Sequence, residues 1–430
     1  MRKIKKALHV YKNQGVKALS NKSIQAAVFY ANKVKIKTKS RPDKNQKELW
    51  EEYGFVSNKI FSVTQEDIEI SKKTISGKLP TKISTANWFV PNFDHLKFGG
   101  IFTIFRFIEK LSKEGVENRI IIYDNPAIDV SNLHIEIKTN FPDLKGYKII
   151  VFDHSNQGID YLPECDLAFC TFWVSAYLLL KFNKTKRKYY FIQDYEPLFY
   201  PGGSTFALAE STYRFGFRGI VNTPGLLAAV NGRHGLEGIS FIPAVDQSLY
   251  FPDFNKDNQK VKIFFYARPN NPRNAFSLGV SIIKRLIDKY GNKIEIVTAG
   301  SEWNEAAFGL HNKINNLGLL KSLDEVADLY RSCDIGFVYM LSKHPSYQPF
   351  EFMASGMATV TNNNEDNLWL LKNRDNCLLS EPSPVAMAEA IGWLIEDEKL
   401  RKKIAKNGYN SLGYTWEQQT EMIWNNIRQR

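Results

Sequence analysis

Cysteine and histidine are scarce in this chain, and neither is arranged for a metal. Four cysteines, Cys165, Cys170, Cys333 and Cys377, stand at spacings that no zinc site uses. They lie in or beside apolar runs, so buried free thiols in a reducing cytoplasm are expected. Seven histidines form no local ligand cluster, and no Asp-x-Asp pair stands in a suitable loop. No structural metal is expected. Long hydrophobic runs are missing too. The longest, Leu167 to Leu180, has 14 residues and includes Thr171, Trp173, Ser175 and Tyr177. A membrane-spanning helix needs about 20 apolar residues. This run reads instead as a buried strand passing into a buried helix. Met1 to Lys6 is basic, but no apolar segment follows it, so no signal peptide is expected. The expected place of work is the cytoplasm or the cytoplasmic face of its membrane.

What is abundant is core-forming material and, at one end, positive charge. Of 430 residues, 43% are hydrophobic and 13% aromatic, enough for two domains with real cores. The net charge of +12 is confined: residues 1–50 hold 14 Lys and Arg against 2 Asp and Glu, and the remaining 380 residues carry 43 of each sign. Ile4, Leu8 and Tyr11, then Val16 and Leu19, recur at helical spacing with lysines between them. Residues 1–80 therefore read as a basic helical extension. A cationic, amphipathic arm suits an anionic membrane surface, with packing on the body or nucleic acid as alternatives.

Beyond residue 80, apolar runs alternate with helical patterns. Strands are expected at Ile83–Val90, Arg119–Tyr123, Lys148–Phe152, Leu167–Phe172, Tyr189–Gln193, Arg218–Asn222 and Gly238–Ile242. A charged hinge follows, and the alternation resumes at 261–266, 294–299, 334–339 and 358–361. Such alternation predicts parallel, doubly wound sheets.

Two stretches carry the chemistry. Tyr266-Ala-Arg268-Pro-Asn-Asn-Pro-Arg273 leaves a predicted strand just before a predicted helix. Loops at strand carboxyl ends are where α/β sheets bind ligands, and arginine there can hold phosphate oxygens bidentately. Pro349-Phe-Glu351-Phe-Met-Ala-Ser-Gly356 sets a carboxylate at a helix start, suited to accept hydrogen bonds from sugar hydroxyls. A diphosphate grip with a hydroxyl acceptor describes a nucleotide-sugar site. The plain alternatives are surface arginines and a helix-capping glutamate.

These stretches resemble the donor half of GT-B glycosyltransferases of family 4. Arg268 matches the family arginine and Arg273 falls at the family lysine. Glu351, in Gln-Pro-Phe-Glu-Phe-Met-Ala-Ser-Gly, matches the second glutamate of the family's Glu-x7-Glu, which holds the nucleotide pentose. The first glutamate is replaced by Lys343, so its contact with the transferred sugar is in question. The His344-Pro-Ser346-Tyr347 loop, Phe191-Ile-Gln-Asp194-Tyr195-Glu196-Pro and Tyr213-Arg-Phe-Gly-Phe217 resemble a narrower group, the dTDP-rhamnose-using rhamnosyltransferases of bacterial surface glycan assembly. Ile242-Pro-Ala-Val-Asp246 resembles the family linker.

The resemblance implies a fold of two Rossmann-like domains facing a cleft. The boundaries expected are an extension over 1–80, an acceptor domain over 81–246, a linker over 247–260, a donor domain over 261–412 and a helix over 413–430 that crosses back. It implies that Gly99 and Gly100 line the cleft beside the donor phosphates or acceptor. Gly300, His344, Ser346 and Tyr347 join Arg268, Arg273 and Glu351 as donor-binding candidates. Asp153 and His154, a carboxylate beside an imidazole after a strand, are catalytic candidates with the two arginines. Asp194, Tyr195 and Glu196 are acceptor-side candidates. Family-4 enzymes retain anomeric configuration by same-face attack, so no dedicated base is required, and two cations with helix ends stand in for a divalent metal. The expected reaction moves L-rhamnose from dTDP-L-rhamnose to a growing lipid-linked surface polysaccharide. A hexosyltransferase using a UDP- or GDP-sugar, and a non-catalytic glycan-binding protein of the same fold, stay open as alternatives. Nucleic acid is not expected as a partner, because the neutral body lacks a basic aromatic groove.

Overall fold

The computed structural model describes residues 51–93, 96, 99–154, 157–343 and 346–429. The basic segment 1–50, with its expected amphipathic helices, and His344 lie outside the described residues.

Strands β1 (Thr85–Val90), β2 (Glu117–Ile122), β3 (Tyr147–Val151), β4 (Cys165–Cys170), β5 (Thr185–Ile192), β6 (Arg218–Asn222) and β7 (Gly238–Phe241) form one sheet in the order β3-β2-β1-β4-β5-β6-β7. Strands β8 (Val261–Ala267), β9 (Ile294–Gly300), β10 (Asn315–Asn316), β11 (Ile335–Val338), β12 (Ala358–Asn362) and β13 (Leu378–Ser380) form a second, in the order β10-β9-β8-β11-β12-β13. The central pairings are parallel: β1 with β2 and β4, and β8 with β9 and β11. Both sheets run outward from a central strand, reverse, and run the other way, which is the doubly wound pattern the alternation predicted.

The chain divides into two compact units. One takes the residues up to 96 with 112–189 and 200–216; the other takes 97–111, 190–199 and 217–430.

In the first unit, burial follows from sequence runs. β4 is apolar on both faces because it is central, and Trp88 of β1 stacks on Phe169 of β4 with ring centroids 3.9 Å apart. The basic stretch before the expected strand Tyr189–Gln193 is the first half of β5. Lys186 and Lys188 are two residues apart and so share one face of the strand. Lys186, near its start, faces solvent, while Lys188 is buried and donates to Ser71 Oγ (2.9 Å), the Leu180 carbonyl (2.9 Å) and Asn183 Oδ1 (2.8 Å). Burial pulls its pKa down to about 7. Residues 51–77 pack on this unit. Phe61 stacks on Trp173 at 5.5 Å and meets Tyr177 edge-on at 4.9 Å. Helix α1 (Gln65–Ile75) is closed by a capping box between Thr64 and Asp67.

In the larger unit, helices α7 (Phe276–Tyr290) and α10 (Pro384–Glu396) cover one face of the second sheet, sharing a core with Phe265, Phe337 and Val360. Gly336 of β11 leaves room for Phe352, whose ring would lie 2.5 Å from a Cβ there. That close approach seats helix α9 (Gln348–Ala354), the carrier of Glu351, hard against the strand. The last helix, α12 (Trp416–Arg428), docks at β7, where Gln419 accepts from the Ile242 N–H at 2.8 Å.

The four cysteines are buried, and none forms a disulfide among the described residues.

Candidate active site

The second sheet reverses its order between β8 and β11, and ligands of such sheets bind outside the strand carboxyl ends at that point. The loop after β8 begins with Arg268. It is wound tightly: the Asn271 N–H donates to the Arg268 carbonyl (3.1 Å), and Asn271 Oδ1 accepts from the Arg273 N–H (3.3 Å). It ends at Ala275, a non-glycine residue at φ +48°, from which α7 starts. Among the described residues, the Arg268 guanidinium forms no ion pair; it sits 5.8 Å over the Tyr266 ring. Arg273 is engaged: its guanidinium pairs with the Asp194 carboxylate and lies 4.2 Å from the Phe199 ring centroid.

The loop after β11 is pinned by asparagines of the neighbouring segment. Asn362 exchanges hydrogen bonds with the Met340 backbone (2.7 and 3.0 Å), and Asn364 Nδ2 donates to the Ser342 carbonyl at 2.7 Å. This pinning places Ser342 Oγ on Asp194, so side chains from both switch-point loops converge on one carboxylate. Asp194 also caps its own turn, accepting from the Tyr195 N–H at 2.7 Å. Lys343, which replaces the family's first glutamate, pairs with Asp366 at 2.8 Å. Its charge is thus answered by the segment that follows β12.

Glu351 stands in the first turn of α9. Its carboxyl accepts no hydrogen bond from a described residue, and desolvation pushes its pKa up to about 7. The buried hydroxyls of Tyr250 and Tyr330 feel its charge, which adds to the burial that raises both of their pKa values. Glu351 itself is half-buried, and its carboxyl is left without a hydrogen-bond partner among the described residues. Ser346 bonds Gln348 at 3.0 Å. The Tyr347 hydroxyl is anchored by Thr103 Oγ1 (2.8 Å) and Asn222 Nδ2 (2.9 Å), and burial pushes its pKa up to about 12.

Gly300 and Gly99 hold backbone conformations that favour glycine. Gly300, at the carboxyl end of β9, has φ +134°, and a Cβ there would meet the Ala267 carbonyl at 2.8 Å. Gly99 has φ +66° at the start of helix α2 (Gly99–Lys113). A Cβ on Gly100 would fall 2.7 Å from Gln193 Nε2, which donates to the Gly100 carbonyl at 2.9 Å.

The other acceptor-side candidates point inward. Glu196 is 3% exposed and accepts from the Tyr190 hydroxyl at 2.8 Å. Tyr195 is buried, with its hydroxyl 2.9 Å from His234 Nε2. Asp153 and His154 follow β3, the edge strand of the first sheet, where the Asp153 backbone closes a turn with Gln157. Burial lowers the His154 pKa, against a smaller upward pull from Asp153. Sequence reading missed Ser342, Thr103, Asn222 and Phe199. None carries a local signal, since each matters only through a partner distant in sequence.

Residues 86–222 match the family model "WsaF, N-terminal domain" and residues 261–392 the family model "WsaF, C-terminal domain". The O-antigen biosynthesis protein RfbC of Myxococcus xanthus is 38% identical over 367 residues, covering 84% of this chain; the chain spans 28% of that relative's length. Among solved structures, TarM superposes with a TM-score of 0.65 at 11% identity, covering 81% of this chain and 99% of that one. HepE of Anabaena, in complex with UDP, gives 0.62 at 13%, covering 81% and 100%. Sucrose-phosphate synthase of Thermosynechococcus elongatus gives 0.61 at 12%, covering 80% and 98%. With two Rossmann-like parallel sheets and both WsaF domain models matched in order over residues 86–222 and 261–392, the chain has the GT-B fold and carries the N- and C-terminal WsaF domains.

Proposed function

We propose that this protein transfers L-rhamnose from dTDP-L-rhamnose to a growing, lipid-linked surface polysaccharide, with retention of anomeric configuration and without a divalent metal. The observation that carries the reading is the placement of Arg268 and Arg273 in the loop leaving β8 at the switch point of the second sheet, with the unpartnered Glu351 carboxyl on α9. In this reading the two guanidinium groups take the diphosphate oxygens. They stabilise the negative charge that grows on the leaving group as the glycosidic bond breaks, the term that usually dominates such catalysis. Glu351 accepts hydrogen bonds from the nucleotide pentose.

A surface-glycan role is supported by the O-antigen biosynthesis named for the Myxococcus relative, and a nucleotide-sugar donor by the HepE complexes with UDP and UDP-glucose. For dTDP-rhamnose the support is narrower: the His344-Pro-Ser-Tyr347 loop, the Asp194-Tyr-Glu196 segment and the WsaF domains. The basic segment 1–50 docks the enzyme on the anionic cytoplasmic face of the membrane in this reading, where a lipid-linked acceptor resides. A thermal-shift panel of dTDP, UDP and GDP, each alone and as nucleotide-sugar, tests the donor. At equal concentration dTDP and dTDP-rhamnose should raise Tm most, because ligand stabilisation follows free ligand over Kd. Greater stabilisation by UDP or GDP would instead identify a hexosyltransferase.

A further inference from the structure

One cationic and one hydroxylic side chain from the two loops at the switch point, Arg273 and Ser342, meet on a single carboxylate, Asp194. A guanidinium and a hydroxyl on one anion are also the partners a phosphate group takes. We infer that Asp194 is a resident anion in the diphosphate grip: without donor its carboxylate occupies the place of a phosphate oxygen on Arg273 and Ser342, and the nucleoside diphosphate displaces it. The inference rests on the proposed role of Arg273.

Three features of the site fit an exchangeable carboxylate. Its side chain retains 16% exposure and that of Arg273 39%, so the pair sits where a ligand can reach it. Phe199, five residues beyond Asp194, holds the Arg273 guanidinium at 4.2 Å from its ring centroid. That contact keeps the arginine in place when the carboxylate leaves. Arg268 has no ion pair among the described residues, so the loop presents one open cation and one that is already neutralised. A diphosphate entering beside an undisplaced Asp194 would meet a like charge in a partly desolvated site, which is costly. The consequence is selectivity. A small anion must offset the displacement with phosphate contacts alone, whereas a nucleoside diphosphate adds base and pentose contacts.

Calorimetric titration of the full-length chain with dTDP, UDP, GDP and inorganic pyrophosphate tests this. Asp194→Asn keeps an Oδ1 acceptor for Ser342 and the Tyr195 N–H, removes the charge and sets an NH2 group in place of the oxygen that Arg273 holds. It should bind the preferred nucleoside diphosphate about 3- to 10-fold tighter, and pyrophosphate should gain by at least as much. Asp194→Ser is a second variant with the same expectation. In Arg273→Ala the gain from Asp194→Asn should vanish, as a double-mutant cycle reads directly. Unchanged or weaker binding by both Asp194 variants overturns the resident anion. If Arg273→Ala alone binds as tightly as the parent, the phosphate-grip role of Arg273 fails instead, so the two ideas fail separately.

Discussion

Asn222 Nδ2 donates to the Tyr347 hydroxyl at 2.9 Å, and Thr103 Oγ1 lies 2.8 Å from the same oxygen. One phenol thus ties the end of β6, the start of α2 and the turn leading into α9. Thr223, next to Asn222, holds φ +86°, a conformation a β-branched residue adopts only when its surroundings enforce it. Tyr347→Phe would leave the buried Asn222 amide and Thr103 hydroxyl without this partner. Each such orphan costs about 1–3 kcal/mol. The variant should lose about 2–8 °C in Tm. Because Glu351 follows in the next turn, nucleoside-diphosphate binding should weaken as well. A thermal scan and a titration check both; unchanged values in both would make the hydroxyl contacts incidental.

Arg268→Ala tests the open cation. Its guanidinium makes no ion pair among the described residues, so its removal breaks no salt bridge among them and the fold should hold. Loss of one strong charge donor in a dry site costs about 3–4 kcal/mol of transition-state stabilisation. Turnover should fall at least ~100-fold, with weaker nucleoside-diphosphate binding and a nearly unchanged Tm. Normal turnover would remove Arg268 from the mechanism.

Glu351 gives a pH dependence. Its folded pKa, about 7, exceeds the unfolded carboxyl value, so its contribution to stability is full below about pH 4 and is lost as pH rises through about 7. Pentose hydroxyls donate best to the ionised form, so ligand binding should strengthen over the range where stability declines. If only the ionised form binds, apparent affinity for the nucleoside diphosphate should rise roughly tenfold from pH 6 to pH 8. Glu351→Gln should bind weakly with no such rise, and should be the more stable protein at pH 8. A parallel rise in the Gln variant would assign the titration to another group.

The fold was legible because both sheets are built from buried parallel strands, which read as continuous apolar runs such as Ile263-Phe-Phe265 and Leu167-Ala-Phe169. Short edge strands left no such run. Asn315–Asn316 has nothing apolar about it and pairs with β9 only because a turn delivers it there. The positions of Arg268, Arg273 and Glu351, after a strand and at a helix start, were legible because apolar runs and helical patterns mark strand ends and helix starts. The joining of Arg273 to Asp194 was not, since the two are 79 residues apart and nothing local in either segment names the other. The same limit hid the aromatic seat of residues 55–61. Phe55, Phe61 and Trp173 are ordinary apolar residues until the chain brings their rings within 5.1 to 6.1 Å.

That seat decides how the basic arm should be tested. All twelve excess positive charges fall in residues 1–50, and each basic residue near an anionic bilayer contributes about 1 kcal/mol, screened by salt. A truncation at residue 81 would strip Phe61 from Trp173 and Ser71 from the buried Lys188, and would damage the body along with the arm. A chain starting at Glu51 removes the charge and keeps both contacts. The full chain should sediment with anionic vesicles at low salt and release at high salt. The chain from Glu51 should stay in solution with an unchanged Tm, and should transfer sugar to a soluble acceptor mimic at the parent rate. If it binds vesicles as well as the full chain does, the docking surface lies on the neutral body and the arm serves another purpose.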